Sequence, residues 1–198
     1  MSTYERFEKI YSSSLKFFTT KDLRDLLGIE NRRTFEEAVK KLESEKVLTK
    51  IERGKYLKTK SKYSKFEISQ FIYNPSYISL EIALSYYGLI EQLPFEITAI
   101  TTKKSIEKKF EEQIYSYKNI SKELFIGYRR EEDFLMALPE KAIFDQLYLS
   151  LFGIKSENIL KDIKKDSFDS EKVLEYLKPL PEKTKKAFEN KFTEIFQC

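Results

Sequence analysis

Short helical and extended patterns of apolar residues alternate along the N-terminal third of the chain. Apolar residues recur at the spacing of one helical face over residues 3–11, which predicts a first helix. Residues 15–18 favour a short strand. A second helix is expected to start at an N-cap formed by Thr19 or Thr20. It is expected to end at Gly28, because glycine readily adopts the left-handed conformation that closes a helix.

A third helix and a hairpin follow directly. Asn31 is a suitable N-cap for a helix with one apolar face, formed by Phe35, Ala38, Val39 and Leu42. Residues 47–51 and 55–58 predict two strands joined by the turn Glu52-Arg53-Gly54. Helix, strand, helix, tight turn, helix and hairpin together predict a winged helix-turn-helix.

The remainder of the chain mixes strands and helices. Residues 66–73 form a short apolar segment, after which Ser79 is expected to cap a helix that ends at Gly88. Pro139 is expected to open another helix, which stops at Gly153. Three further runs predict antiparallel strands: residues 95–102, 113–118 and 124–128. Residues 156–196 predict three amphipathic helices, separated near Phe168 and by residues 179–181. The predicted fold class is therefore α+β, with a small antiparallel sheet of three or four strands covered by helices.

Charge is distributed unevenly along the 198 residues. Residues 1–65 contain 17 Lys and Arg against 10 Asp and Glu, a net charge of +7, whereas residues 66–198 have a net charge of −3. The polar segment KTKSKYSK, residues 58–65, is typical of a linker. We therefore predict a basic DNA-binding domain over residues 1–65 and a second domain over residues 66–198.

Composition excludes several classes of function. Histidine is absent, and the single cysteine is Cys198, so Cys/His zinc sites, histidine-based nucleophile pairs and an intramolecular disulfide are all excluded. The longest mainly apolar stretch is interrupted by Asp145 and Gln146 and is too short to cross a bilayer. No export signal is evident at the N-terminus. We expect a cytoplasmic protein that is not an enzyme, with no cofactor and no metal.

The predicted third helix carries the strongest functional signal. Arg32 and Arg33 lie in its first turn, where the positive end of the helix dipole disfavours cations, so an external anion is the simplest reason for them. We predict double-stranded DNA as the partner, contacted by Thr20, Lys21, Asn31, Arg32, Arg33, Thr34, Glu37, Lys40, Lys41, Lys50, Arg53 and Lys55. The structural alternative is a solvated helix face on which Arg33 pairs with Glu37, Glu36 with Lys40, and Glu37 with Lys41.

Candidate chemistry in the second domain is weaker. Glu140, Lys141 and Asp145 share one predicted helix and resemble the acidic-lysine cluster of a nuclease, although Lys141 and Asp145 also have the spacing of a common i,i+4 ion pair. Lys103 and Lys104 follow Thr101 and Thr102 at the end of a strand, where they could contact phosphate. Tyr115 and Tyr117 could stack bases or fill a core. A structural role is the simpler interpretation for each group.

Five segments between Phe17 and Tyr148 resemble the AbiEi antitoxins, the regulatory half of bacterial abortive-infection toxin–antitoxin pairs. They are FFTTKDLRDLLGI, ERGKYL, NPSYISLEIALSYYGLI, ITAITTKKS and ALPEKAIFDQLY. The resemblance implies a repressor of its own operon, acting on an operator of inverted repeats. It also implies a second domain that counteracts a nucleotidyltransferase-like toxin without a stable complex. Tyr87 stands where relatives often carry histidine, so a role for that histidine does not transfer.

The resemblance places antitoxic activity in the second domain, with Lys103, Lys104, Glu140, Lys141 and Asp145 as candidate residues. Two other classes of protein stay open at this point. One is a stand-alone winged-helix transcription factor whose second domain senses a ligand or oligomerises. The other is a histidine-free nuclease or nucleotidyltransferase that uses the cluster on the predicted helix after Pro139.

Overall fold

The structure, a computed structural model, describes residues 2–196, and the prediction that concerns Cys198 lies outside this range. The chain divides into two compact units, Met1–Ser64 and Lys65–Cys198. Helices and sheets occur in both, so the chain is an α+β protein. Among the described residues, no helix is both long and apolar enough to cross a membrane.

The first unit contains three helices and three strands within the described residues. In chain order they are α1 (Thr3–Ser12), β1 (Phe17–Thr19), α2 (Thr20–Leu27), α3 (Arg32–Ser44), β2 (Leu48–Glu52) and β3 (Lys55–Lys58). The strands form an antiparallel sheet in the order β1-β3-β2. Phe18, Leu23, Phe35, Val39 and Leu42 meet in one core between the helices and the sheet.

Local sequence determines where these helices begin and end. Thr19 caps α2, because its hydroxyl accepts a hydrogen bond from the Asp22 amide while the Asp22 carboxylate accepts one from the Thr19 amide. Gly28 follows α2 with φ +64°, in the left-handed conformation predicted for it. Asn31 caps α3 by accepting a hydrogen bond from the Thr34 amide at 3.1 Å, which confirms its predicted position.

The second unit has more strands than the sequence predicts. Its main elements are α4 (Lys65–Ile72), β4 (Ser76–Ile78), α5 (Glu81–Tyr86), β5 (Ile97–Thr101), β6 (Ile106–Phe110), β7 (Gln113–Asn119), β8 (Tyr128–Glu131), β9 (Phe134–Ala137), α6 (Pro139–Ser150), α7 (Ser170–Glu175) and α8 (Glu182–Phe196). Short 3-10 helices lie at Lys122–Leu124, Asn158–Asp162 and Lys165–Ser167.

The prediction of a small antiparallel sheet in this unit is wrong. The sheet has six strands within the described residues, in the order β6-β7-β5-β4-β9-β8. Two of its pairings, β5 with β7 and β4 with β9, are parallel. The predicted strand over residues 124–128 is a 3-10 helix and loop, and β8 begins only at Tyr128. Parallel partners join segments far apart in sequence, so no local turn signal announces them.

Near the start of this unit lie a segment whose conformation the sequence left open and one prediction that needs correction. The apolar segment 66–73 is mostly the helix α4, which packs on the sheet through Phe66 against Phe134. Ser79 does not cap α5, because the residue before that helix is Leu80 and it makes no side-chain capping bond. The Ser79 hydroxyl instead donates a hydrogen bond to Asp145 at 2.8 Å, across 66 residues of sequence.

Helices cover both faces of the six-stranded sheet. Tyr77 is in register with Ile100, which is in register with Lys118, so these three side chains share one face of the sheet. Tyr117 precedes Lys118 on β7, and because successive residues of a strand alternate, it lies on the opposite face from Tyr77. Tyr117 donates a hydrogen bond to the Ser69 carbonyl on α4, whereas Tyr77 contacts Asp145 on α6. The first of the three predicted tail helices is wrong, since residues 158–167 contain only 3-10 turns, but α7 and α8 follow as predicted.

Candidate functional site

The start of α3 presents two arginines to solvent. The side chains of Arg32 and Arg33 are 81% and 91% exposed, and both follow the Asn31 cap that fixes the first turn. Thr34, another predicted contact, donates its hydroxyl to the Asn31 side chain at 3.2 Å. The two arginines are therefore the side chains of this turn best placed to reach a partner.

Both arginines also form i,i+4 ion pairs. The pair of Arg33 with Glu37 is one that the alternative of a solvated helix face predicts. Arg32 pairs with Glu36 at 2.8 Å and Arg33 with Glu37 at 3.1 Å. The hydrogen bond from Arg32 lowers the pKa of the Glu36 carboxyl and raises the pKa of the guanidinium. The predicted pairing of Lys41 differs, since Lys41 pairs with Glu45 instead of Glu37, whereas the charge of Lys40 also lowers the pKa of the Glu36 carboxyl. Exposed pairs of this kind are weak and exchange readily for a phosphate.

The tip of the hairpin is tied to the start of α2. The Thr20 amide donates to the Gly54 carbonyl at 2.9 Å, and a Cβ on Gly54 would lie 3.0 Å from the Thr20 hydroxyl. Gly54 also has φ +77°, a conformation that favours glycine. Glycine therefore suits this turn both by its backbone conformation and by the little space left for a side chain. Thr20 is therefore a structural contact as well as a predicted DNA contact, and the neighbouring residues Lys21 on α2 and Arg53 in the turn are both exposed.

The other predicted DNA contacts differ in exposure. Lys40, Lys41 and Lys50 are exposed, whereas Lys55 is only about one quarter exposed and pairs with Glu52 at 2.8 Å. The eight residues of α2 span roughly 12 Å, which separates the hairpin tip at its start from the α3 arginines beyond its end. The unit thus presents two groups of cations at the two ends of α2.

The motif residues of the second unit converge on one buried carboxylate. Asp145 Oδ2 accepts hydrogen bonds from the Tyr77 hydroxyl at 3.0 Å and from Ser79 at 2.8 Å, and Asp145 Oδ1 accepts one from Lys141 Nζ at 2.5 Å. All four residues are fully buried. Tyr77 lies on β4 and Ser79 directly follows that strand, and the sequence signal for the pair is their i,i+2 spacing, which directs both side chains to one face of extended backbone.

Aromatic rings enclose this cluster. Lys141 Nζ lies 4.6 Å from the Phe144 ring centroid and 5.2 Å from that of Tyr176. Burial lowers the pKa of Lys141 and raises that of Asp145, while the attraction between the two opposes both shifts. Burial, followed by the charge of Glu140, raises the pKa of Tyr176 to about 12. The cluster is sealed by side chains and is suited to holding elements together.

The predicted group of Glu140, Lys141 and Asp145 is not a surface cluster. Lys141 and Asp145 are buried, while half-buried Glu140 faces the Asp169 amide at 3.5 Å. Across residues 2–196 no group of three or more acidic, histidine or cysteine side chains could hold a metal ion. The geometry therefore gives no support to a nuclease centre here.

The other candidates in this unit have structural partners. Exposed Lys103 donates to the Asn74 carbonyl at 2.5 Å and lies over the Tyr73 ring, whose hydroxyl donates to the Lys104 carbonyl. Both lysines keep the loop after β5 against the end of α4 and remain accessible. Tyr115 and Tyr117 are buried in the core, so the base-stacking alternative is wrong.

These features define a two-unit α+β protein with an exposed basic first unit. No protein-family model matches the chain, and no curated protein matches it. Among solved structures, the chain is similar to the RV2827C protein from Mycobacterium tuberculosis, with a TM-score of 0.61 and 14% sequence identity. The similarity covers 92% of this chain and 73% of that chain. At this identity the likeness concerns the fold alone.

Proposed function

We propose that this chain is a DNA-binding transcriptional repressor whose first unit is a winged helix-turn-helix. The observation that carries the proposal is the pair of exposed arginines in the first turn of α3, directly after the Asn31 cap. The order of helices, the short connection between α2 and α3, and the hairpin tip with exposed Arg53 support it. In this arrangement α3 enters the major groove and the hairpin contacts phosphates.

We further propose that the second unit is an antitoxin that counteracts a nucleotidyltransferase-like toxin. The support is the resemblance of the segments SYISLE and PEKAIFD to AbiEi proteins, together with the way they meet. Ser79 of the first segment and Lys141 of the second bind the same carboxylate of Asp145. The residues of the two segments thus belong to one structural unit.

The DNA-binding proposal is tested on the full chain with a duplex from upstream of its own gene. We expect binding that weakens steeply as salt rises, because cationic side chains release counterions from phosphates. Arg32→Ala/Arg33→Ala is expected to lower the affinity about tenfold or more, measured by fluorescence anisotropy. The matched control is Arg129→Ala/Arg130→Ala, which removes two exposed arginines that are consecutive in sequence on β8 of the second unit. Equal losses in the two double variants would contradict the assignment to α3.

A stand-alone transcription factor with a ligand-sensing second unit is the second candidate. A cleft in that unit, lined by the buried side chain of Gln146, favours it. The gene neighbourhood discriminates the two candidates, since an adjacent nucleotidyltransferase-like gene supports the antitoxin. Loss of repression on addition of a small molecule, with no such gene nearby, would support the sensor.

A further inference from the structure

Arg24 lies on α2 and is not among the candidate DNA contacts, yet its side chain reaches the turn that leads into α3. Its Nη1 donates hydrogen bonds to the Glu30 carbonyl at 2.8 Å and to the Ile29 carbonyl at 3.4 Å. This nitrogen carries two N–H groups, so it can serve both carbonyls at once. A charged donor also makes a stronger hydrogen bond than a neutral one. Arg24 therefore ties α2 firmly to the turn.

The backbone of Arg24 bonds to the same turn. The Gly28 and Ile29 amides donate to the Arg24 carbonyl at 2.8 and 3.4 Å. A hollow of about 440 Å³ borders the turn, and the residues that line it all belong to α2 or to the turn itself. On this side the turn is thus supported by α2, through both the backbone and the side chain of Arg24.

The guanidinium of Arg24 also contacts α3. Its Cζ lies 4.4 Å from the ring centroid of Phe35, an arrangement in which a cation is attracted to the face of an aromatic ring. Phe35 follows Arg32 and Arg33 within the first turn of α3, and its ring is buried in the core of the first unit. Because that ring is fixed in the core, the contact fixes the first turn of α3 relative to α2.

The charge of Arg24 reaches the surface of α3 that carries Arg32. The pKa of the Glu36 carboxyl is lowered mainly by the hydrogen bond from Arg32, and the positive charges of Lys40 and Arg24 lower it further. Three cations thus lie near one carboxylate. This surface keeps an excess of positive charge, as contact with a polyanion requires.

We propose that Arg24 is a positioning residue for DNA recognition, which fixes the turn between α2 and α3 so that Arg32 and Arg33 reach base edges together. The inference rests on the proposed DNA binding by α3. Hydrogen bonds to base edges weaken steeply when donor and acceptor are misaligned, whereas attraction to phosphates tolerates small displacements. The loss of Arg24 therefore affects the discrimination between DNA sequences more than it affects binding to DNA in general.

The test measures the affinity of the full chain for two duplexes of equal length, one from upstream of its own gene and one of random sequence, by competition anisotropy. Arg24→Met keeps the length of the side chain and removes its charge and its donors. It is expected to lower the ratio of the two affinities about fivefold or more. A merely structural role would leave this ratio unchanged, because a smaller folded fraction weakens binding to both duplexes equally.

Two further variants separate position from charge. Arg24→Lys keeps the cation without the planar guanidinium, so it is expected to restore affinity for the random duplex and not the ratio. Lys9→Met is the matched control, since Lys9 Nζ donates to the Leu26 carbonyl at 3.1 Å, at the same end of α2. It removes one cation that binds a carbonyl before the turn, and is expected to leave the ratio unchanged. An equal fall of the ratio in Lys9→Met and Arg24→Met would overturn the proposal.

Combination with Arg32→Ala/Arg33→Ala tests the route of the effect. If Arg24 acts through these arginines, adding Arg24→Met to the double variant lowers the ratio no further. An additional loss would show that Arg24 itself reads DNA, against the proposal. If Arg24→Met does not fold, Arg24→Lys decides the outcome in its place. An unchanged ratio in the deciding variant would refute this inference alone, whereas a wild-type chain that prefers neither duplex would refute the proposed repressor as well.

Discussion

At the scale of single residues, Asp145 is the most constrained group in the second unit. It is fully buried and accepts hydrogen bonds from Lys141 on α6, Tyr77 on β4 and Ser79 just after β4. A buried ion pair gains little over apolar packing, yet removing one member leaves an uncompensated charge. The stability of the unit is therefore expected to depend on the members of this cluster jointly.

Lys141→Met is expected to lower the free energy of unfolding by about 3–5 kcal/mol, because it leaves the Asp145 charge without its cation. Lys141→Met/Asp145→Leu removes both charges and is expected to be clearly more stable than the single variant. Urea unfolding followed by circular dichroism measures both. Lys161→Met is the control at an exposed position, with an expected change within about 0.5 kcal/mol. A loss in Lys141→Met no larger than in this control would contradict the coupled network.

The same cluster shows what local sequence could not predict. The spacing of Lys141 and Asp145 predicts an ion pair, and the structure contains it, but burial of that pair depends on Tyr176 and Phe144 around it. Ser79 had the sequence context of an N-cap. Its hydroxyl bonds across the fold instead, and such a distant partner leaves no trace in a local pattern.

At the scale of elements, the first unit was predictable because its boundaries are local. The caps at Thr19 and Asn31 and the left-handed Gly28 each act within four residues of sequence, and helix limits followed within about two residues. The sheet of the second unit could not be predicted from local sequence, because β4 has only three residues and pairs in parallel with β9. Short strands and parallel partners carry little periodic signal.

Gly127 connects two elements of the second unit and gives an element-scale prediction. A Cβ at this position would lie 2.5 Å from the Tyr176 hydroxyl, just after α7, and the backbone has φ +75°. Gly127→Ala is therefore expected to lose about 1–3 kcal/mol more unfolding free energy than Gly88→Ala. Gly88 is the matched control, since it has φ +69° and nothing within 4 Å of the added Cβ. Equal losses, measured by urea unfolding, would mean that Tyr176 yields freely and does not pack on this turn.

The arginines at the start of α3 and the arginine at the hairpin tip are expected to differ in which part of the DNA they contact. In the proposed docking, Arg32 and Arg33 on α3 reach base edges, whereas Arg53 at the hairpin tip reaches only phosphate. Arg53→Ala is expected to weaken binding to operator and random duplexes alike. The α3 double variant Arg32→Ala/Arg33→Ala should lose discrimination by about 1–3 kcal/mol for each base contact. Competition anisotropy with both duplexes measures the ratio, and an unchanged ratio in the α3 variant would exclude direct readout by α3.

At the scale of the whole molecule, two compact units differ in charge and in kind. The basic residues concentrate before Lys65, whereas the longer unit carries a six-stranded sheet and a cleft of its own. A second unit that served only to pair two DNA-binding units would need little beyond an apolar surface. More than 130 residues organised around their own core are more consistent with a separate activity.

We therefore expect antitoxic activity to survive the loss of DNA binding. The test expresses a neighbouring nucleotidyltransferase-like toxin together with the full chain, with Arg32→Ala/Arg33→Ala, or with the unit Lys65–Cys198 alone. Each is driven from an unrelated promoter, so that repression of the toxin gene cannot contribute to growth. Rescue by all three is expected, because the motif residues and the buried Asp145 cluster lie entirely within the second unit. Loss of rescue in the arginine variant, with the protein folded and abundant, would show that protection works through DNA binding and that the two activities are one.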